Sequence, residues 1–160
     1  MPKTDPRTAP YVYVIYINTT PEKLWRALTD PALIRRYWMG RTNTSTWRQG
    51  APLESRSPAG ELEWHGRIVE NKPPHRLSYT FGGVRPKDTR TLVTFDVESL
   101  AKDPVHRGKG LRVTVTHRGY APGSRDFKGI SAGWPAILSG LKTLLETGRK
   151  LPVVYVGDCG

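Results

Sequence analysis

The side chains that could hold a metal ion or act as nucleophiles stand far apart in this chain. The histidines and the single cysteine are His65, His75, His106, His117 and Cys159. They lack the short spacing at which protein ligands share a zinc ion, and Cys159 has no second cysteine with which to form a disulfide. The segment 108–110, Gly-Lys-Gly, lacks the leading glycine and the following hydroxyl residue of a phosphate-binding loop. We therefore expect no metal site, no cofactor and no catalytic residue.

A second group of side chains offers binding chemistry instead. Large rings, a few apolar neighbours and one histidine form the candidate ligand-binding set: Trp38, Trp47, Trp64, Tyr79, Phe81, Phe95, Val115, His117, Trp134 and Leu138. Aromatic side chains bury large flat surfaces, so together they could line a cavity for an aromatic or lipid-like molecule. Taken singly, each is more simply explained as an ordinary core residue, and only the set as a whole points to a cavity. His117 could be a core histidine bonded to protein, or it could bond the polar end of a ligand.

These residues need elements that position them, and the first cues lie near the N-terminus. The β-branched and aromatic residues at 11–17 predict a strand. Thr20 is a good N-cap, and Pro21 suits the first position of the helix that follows it. Asp30 then caps a second short helix, which carries Trp38 near its end.

The middle of the chain predicts six more strands. Their ranges are 43–47, which is a weak signal, 53–57, 62–72, 76–81, 91–98 and 111–118. In the last of these, Leu111, Val113 and Val115 alternate with polar residues, and His117 has the same parity. Such alternation is typical of an antiparallel sheet covered on one face only. His117 is therefore expected to point inward.

Apolar residues at steps of three and four across 127–148 predict a long final helix that ends at Gly148. Pro135 inside it should remove one hydrogen bond, so two helical pieces meeting near Trp134 are an alternative. This helix is large enough to cover the sheet. A curved sheet around one helix is expected to leave an opening, and hence a cavity, between the two.

The composition is that of one soluble domain. The chain has 160 residues, 37% hydrophobic and 24% charged, with no apolar run near the roughly 20 residues that span a bilayer. Because the N-terminal residues lack the apolar core of a signal peptide, we expect a cytoplasmic location. The net charge is +11, but the basic residues are spread along the chain without a nucleic-acid module. We expect a basic surface that could attract an acidic protein or a membrane surface, and no specific nucleic acid.

Four segments together carry a recognisable pattern. They are Thr20-Pro21-Glu22-Lys23-Leu24-Trp25 with Leu28-Thr29-Asp30-Pro31 and Trp38; Gly66-Arg67-Ile68-Val69-Glu70 with 73–81; Thr114-Val115-Thr116-His117-Arg118-Gly119-Tyr120; and Gly133-Trp134-Pro135 with 141–148. In this order they resemble the START-like (SRPBCC) superfamily, and within it the branch named after the activator of the ninety-kDa heat-shock protein ATPase. The resemblance implies an α+β helix-grip fold: a curved, seven-stranded antiparallel sheet around a long C-terminal helix, with two short helices after the first strand. It also implies that the final helix tolerates its Trp-Pro pair.

The resemblance covers about residues 11–150, which we take as the domain. Residues 1–10 are then an N-terminal extension, and residues 151–160 are a C-terminal tail with a short β-prone segment at 153–156. A basic loop at 85–90, an insert at 102–110 and the tail depart from the family pattern. These departures leave the ligand and the partner open.

Three functions fit these features. The first is a cytoplasmic protein that binds a small hydrophobic, aromatic or lipid molecule in the cavity. The second is a chaperone-associated module of the stress response that binds an acidic protein. The third is a cavity enzyme for an aromatic or polyketide-like substrate, to which Glu54, Glu61 and Glu63 could contribute carboxylates, although two of them sit at a predicted turn. A monomer and a homodimer both remain open.

Overall fold

The helix boundaries follow from capping residues in the sequence. The computed structural model describes residues 9–84, 90–121 and 123–153. Its elements are β1 Tyr11–Ile17, α1 Pro21–Thr29, α2 Pro31–Tyr37, β2 Thr42–Thr44, β3 Pro52–Arg56, β4 Leu62–Lys72, β5 Arg76–Gly82, β6 Arg90–Ser99, β7 Leu111–Arg118 and α3 Arg125–Thr147. The side chain of Thr20 accepts a hydrogen bond from the amide of Lys23, and that of Asp30 accepts one from the amide of Ala32. Gly148 ends α3 in the left-handed conformation, at φ 72°.

All seven strands form one antiparallel sheet in the order β1-β7-β6-β5-β4-β3-β2. The first strand of the chain therefore pairs with the last, and β1 and β2 are the edges. α1 and α2 follow β1, and α3 closes the fold. This architecture confirms the α+β helix-grip fold, with its curved sheet around a long C-terminal helix and two short helices after the first strand.

The inner face of the sheet is set by strand parity. Val93 of β6 pairs with His117 of β7, and Phe95 pairs with Val115. All four side chains are buried. Opposed residues of an antiparallel pair point to the same face, so the register brings the inward residues of both strands together. The predicted inward direction of His117 is confirmed.

α3 covers this inner face with a row of buried residues: Trp134, Ile137, Leu138, Gly140, Leu141 and Leu144. Gly140 lets the helix approach α2, because a Cβ there would lie 3.1 Å from the carbonyl oxygen of Tyr37. Near the end of α3, the Lys142 ammonium donates to the carbonyl of Tyr16, at 2.6 Å. These contacts hold α3 against α2 and the edge strand β1.

Pro135 lies inside one continuous helix, so the alternative of two helical pieces is wrong. Proline has no amide hydrogen, and the carbonyl four residues earlier, that of Ser131, loses its usual helical donor. The hydroxyl of Tyr11 lies 3.5 Å from the Ser131 carbonyl oxygen and donates to it. The edge strand thus supplies part of the hydrogen bonding that the proline removes.

Other expectations shift by a few residues or fall outside the description. The weak strand expected at 43–47 is the three-residue strand β2 instead, because the chain turns at 48–50. Most of the basic loop at 85–90, the tail beyond 153 and Cys159 lie outside the described residues. In the part of the chain that is described, no helix has both the length and the apolar content needed to cross a membrane.

Leu141 tests whether α3 is the structural centre of the domain. Its side chain is fully buried, so Leu141→Ala should lower the free energy of unfolding by about 2–5 kcal/mol, through lost burial and a new cavity. Chemical denaturation measures this. Leu145→Ala on the same helix removes a partly buried side chain and should cost clearly less. Equal stability of Leu141→Ala and the unsubstituted protein would mean that α3 does not pack on the sheet.

Candidate functional site

A continuous cluster of aromatic rings fills the space between the sheet and the helices. Trp64 of β4 contacts Phe81 and Tyr79 of β5, with ring centroids 4.3 and 6.0 Å apart. Trp38, which follows α2, has its ring 6.1 Å from Trp64 and 5.4 Å from Trp134 of α3. Rings from both layers of the fold therefore meet in one place, mostly in edge-on or tilted geometries that favour aromatic pairs.

A chain of buried hydrogen bonds crosses one side of this cluster. The indole Nε1 of Trp134 donates to Nδ1 of His117, at 3.0 Å. Because indole nitrogen only donates, Nδ1 must accept, and neutral His117 then carries its proton on Nε2. Nε2 lies 2.7 Å from Oγ1 of Thr91, which in turn donates to the carbonyl of Phe81, at 2.9 Å. The side-chain polar atoms of Trp134, His117 and Thr91 therefore all have hydrogen-bond partners.

This arrangement keeps His117 neutral. Burial lowers the pKa of His117 from 6.5 to about 3, because the charged imidazolium would lose its hydration. Protonation would also place an N–H on Nδ1, facing the N–H of Trp134. The imidazole is therefore a hydrogen-bond relay between helix and sheet, and both of its nitrogens are engaged by protein.

The structure brings most of the candidate ligand-binding residues together. Eight are buried: Trp38, Trp64, Tyr79, Phe95, Val115, His117, Trp134 and Leu138. Phe81 is partly exposed and belongs to the same ring cluster. Trp47 is also partly exposed, but the described ring contacts do not include it. Its carbonyl accepts from the side chain of Asn71, whose Oδ1 accepts from the indole of Trp25.

Three polar residues of the inner face were missed in the sequence. Thr91 has the parity of Val93 and Phe95, and this signal could have identified it. Ser55 of β3 and Asn43 of β2 are buried as well. Ser55 shares the parity of Leu53, which is a weak signal for an inward direction. Asn43 lies on a strand of three polar residues, where alternation gives no inward direction.

Two concavities lie on the other, outer face of the sheet. One, of about 350 Å³, includes Glu54, His65, Arg67 and Arg90 in its lining. The other, of about 650 Å³, lies around Glu70, Arg76 and Asp96. Its charges pair with one another: the Nε of Arg76 lies 2.7 Å from a carboxylate oxygen of Asp96. Within the described ranges, no three histidine, cysteine or acidic residues gather as a metal site would require.

Comparisons with known proteins agree on one family. The sequence model of the family described as Activator of Hsp90 ATPase homolog 1-like protein matches residues 18–146. The crystal structure of protein MLL2253 from Mesorhizobium loti is 28% identical, with a TM-score of 0.71 over 86% of this chain and 96% of that protein. A search of curated protein sequences found no significant match.

Two more distant structures share the fold. The solution structure of the Aha1 dimer from Colwellia psychrerythraea is 20% identical, with a TM-score of 0.68 over 88% of this chain and 98% of that chain. The crystal structure of CalU16 from Micromonospora echinospora is 19% identical, with a TM-score of 0.67 over 94% of this chain and 83% of that protein.

The neutral state of His117 makes a prediction about pH. Its folded pKa lies below its ordinary value, so the unfolded chain binds the proton first and stability falls as the pH falls below about 6.5. Between about pH 7 and about pH 5.5 we expect a loss of about 1 kcal/mol in the free energy of unfolding. This pH window lies above the range in which carboxylates with a lowered pKa, such as that of Glu146, take up protons. Those carboxylates therefore contribute little to the expected loss.

Urea denaturation at both pH values measures the loss. His117→Gln, which cannot titrate, should show little of it, whereas His75→Gln removes an exposed histidine and should behave like the unsubstituted protein. The same pH dependence in His117→Gln would place the titration elsewhere.

Proposed function

The chain belongs to the family of Activator of Hsp90 ATPase homolog 1-like proteins, within the START-like superfamily, and we propose that it binds a small aromatic or otherwise hydrophobic molecule between the sheet and α3. The observation that carries this proposal is the ring cluster itself. Trp38, Trp64, Phe81 and Trp134 come from the segment between α2 and β2, from two strands and from the closing helix, and meet on the inner face. Ligand sites are typically apolar and aromatic with a few placed polar groups.

Aromatic faces and edges favour a flat, polarisable ligand. Rings in tilted and edge-on contact can exchange a neighbouring ring for a ligand ring at similar distance, because the same electrostatic preference applies to both. Tyr79 and Phe95 extend the cluster toward β6, with ring centroids 6.1 Å apart. Val115 and Leu138 add aliphatic walls, which a lipid-like molecule could also contact.

Access is expected from the side of Phe81 and the β2 edge. Phe81 is partly exposed while most of the cluster is buried. β2 has only three residues and pairs with β3 alone, and such short edge elements open at low free-energy cost. Because the rings contact one another, a ligand would separate Phe81 or Trp38 from Trp64 on binding.

The polar groups of the ring cluster support binding rather than catalysis. Both nitrogens of His117 are committed to Trp134 and Thr91, and its pKa of about 3 is far from that of a base working near neutral pH. We therefore propose that the protein binds its ligand rather than converting it. A cytoplasmic location and action without metal or cofactor are proposed from the sequence alone.

A second candidate rests on the basic surface. Arg35 and Arg36 lie in the last turn of α2, and Arg149 and Lys150 follow α3. Arg36 donates to the carbonyl of Gly148, at 2.9 Å, so the two groups are adjacent. All four are exposed. Such a patch would attract an acidic protein surface, and the family description makes an Hsp90-type ATPase the partner to test.

The ligand proposal predicts a thermal response to aromatic compounds. A thermal-shift series of apolar and aromatic compounds should raise the melting temperature, and native mass spectrometry should show a one-to-one complex. Phe81→Leu should weaken that binding severalfold, because it removes a ring of the cluster. Phe127→Leu is a matched control: Phe127 is also partly exposed, but its ring contacts Tyr11 instead. Equal affinity in both variants would place the ligand elsewhere.

The partner proposal predicts a salt-sensitive effect on a purified Hsp90 ATPase. Added protein should raise its rate at low ionic strength and less at high ionic strength, because salt screens surface charges. The double variant Arg35→Glu/Lys150→Glu should lose most of the effect. Arg118→Glu, an exposed charge at the end of β7, should retain it. An ATPase rate unaffected by the unsubstituted protein would exclude this partner.

A further inference from the structure

Two buried polar side chains on the inner face of the sheet have atoms without a hydrogen-bond partner. Asn43 of β2 is 2% exposed and Ser55 of β3 is fully buried. Among the described residues, neither Oδ1 of Asn43 nor Oγ of Ser55 has a partner. The two residues are directly paired across β2 and β3, so their side chains are neighbours on one face.

The same row continues into the aromatic cluster. Ser55 is paired with Trp64 across β3 and β4, and Trp64 has Trp38 and Phe81 as ring neighbours. Asn43, Ser55 and Trp64 thus form one line across three strands. It begins with two unpartnered polar atoms and ends on an aromatic wall.

An unpartnered buried polar atom destabilises the free protein, since it has lost water and gained nothing in exchange. Alanine at position 55 would avoid that cost. A hydrogen bond from a ligand would offset it.

We propose that Asn43 and Ser55 bind the hydroxyl group of a neutral aromatic ligand whose ring lies against Trp64; this inference rests on the ligand-binding function proposed above. The Oδ1 of Asn43 can only accept, so the ligand must donate, whereas the Oγ of Ser55 can donate in return. A phenolic or alcoholic hydroxyl does both with one oxygen. A carboxylate offers no donor to Asn43, and this row of the sheet carries no cation to balance its charge.

The position of the pair also fits ligand access. Asn43 lies on the three-residue edge strand, and the segments on both sides contain non-glycine residues in the left-handed region, Met39 at φ 50° and Trp47 at φ 62°. Such backbone is less favourable than ordinary conformations and is common near binding sites. Local opening of this edge would expose the polar pair before the rest of the cluster.

The test compares 2-naphthol with naphthalene by isothermal titration calorimetry. These probes share one ring system and differ by the hydroxyl. The unsubstituted protein should bind 2-naphthol about threefold to tenfold more tightly, the range expected of one neutral hydrogen bond. Ser55→Ala and, separately, Asn43→Ala should remove most of that preference and leave the affinity for naphthalene nearly unchanged. Ser55→Ala should also raise the melting temperature of the free protein.

Ser78→Ala is the matched control. Ser78 is equally buried, but its hydroxyl is bonded to the carbonyl of Val93 and the hydroxyl of Thr94. It should keep the preference for 2-naphthol and lose stability. Equal affinity of the two probes for the unsubstituted protein, or unchanged preference in both alanine variants, would overturn the polar subsite while the aromatic site stands. If neither 2-naphthol nor naphthalene binds, the aromatic site is overturned as well.

Discussion

The hydrogen bond between the buried side chains of Trp134 and His117 joins α3 to the sheet inside the aromatic cluster. Apolar contacts have no direction, so a helix on an apolar sheet could settle in several positions of similar free energy. A buried donor and acceptor remove that freedom, because any other position leaves both without partners. Thr91 holds the other side of the imidazole, so β6, β7 and α3 are aligned by one short chain of atoms.

Polar contacts at both ends of α3 complement this bond. Near the start, the Tyr11 hydroxyl reaches the carbonyl of Ser131, which Pro135 has deprived of its helical donor. Near the end, a carboxylate oxygen of Glu146 accepts from the amide of Asn18, at 2.9 Å. The helix is thus positioned along its length by directional contacts. The apolar residues between them therefore do not have to determine the position of the helix by themselves.

Local sequence signals predicted the helices and strands well. Contacts between residues far apart in the sequence were harder to predict. The caps at Thr20 and Asp30 act within a few residues, so the helix starts could be assigned without knowing the fold. The strict alternation of β7 likewise determined the direction of His117. The carbonyl that Pro135 leaves without its helical donor is reached by a hydroxyl 120 residues away, which no local pattern contains. Trp47 was placed among the rings by its residue type alone, whereas its described hydrogen bonds are made by its backbone, to the side chains of Ser45 and Asn71.

The inner face carries two polar arrangements that differ in one respect. The hydrogen bonds of His117 and Thr91 are satisfied by groups of the same chain, and this neutral network can remain in a dry interior at little cost. Asn43 and Ser55 lie on the same face, across Trp64, yet their oxygens are unpartnered within the described residues. Selection for stability alone would replace such side chains, because small apolar residues fill the same space without the cost of desolvation. Trp64 separates the part of the interior whose hydrogen bonds are satisfied within the protein from the part where two buried polar atoms have no partner among the described residues.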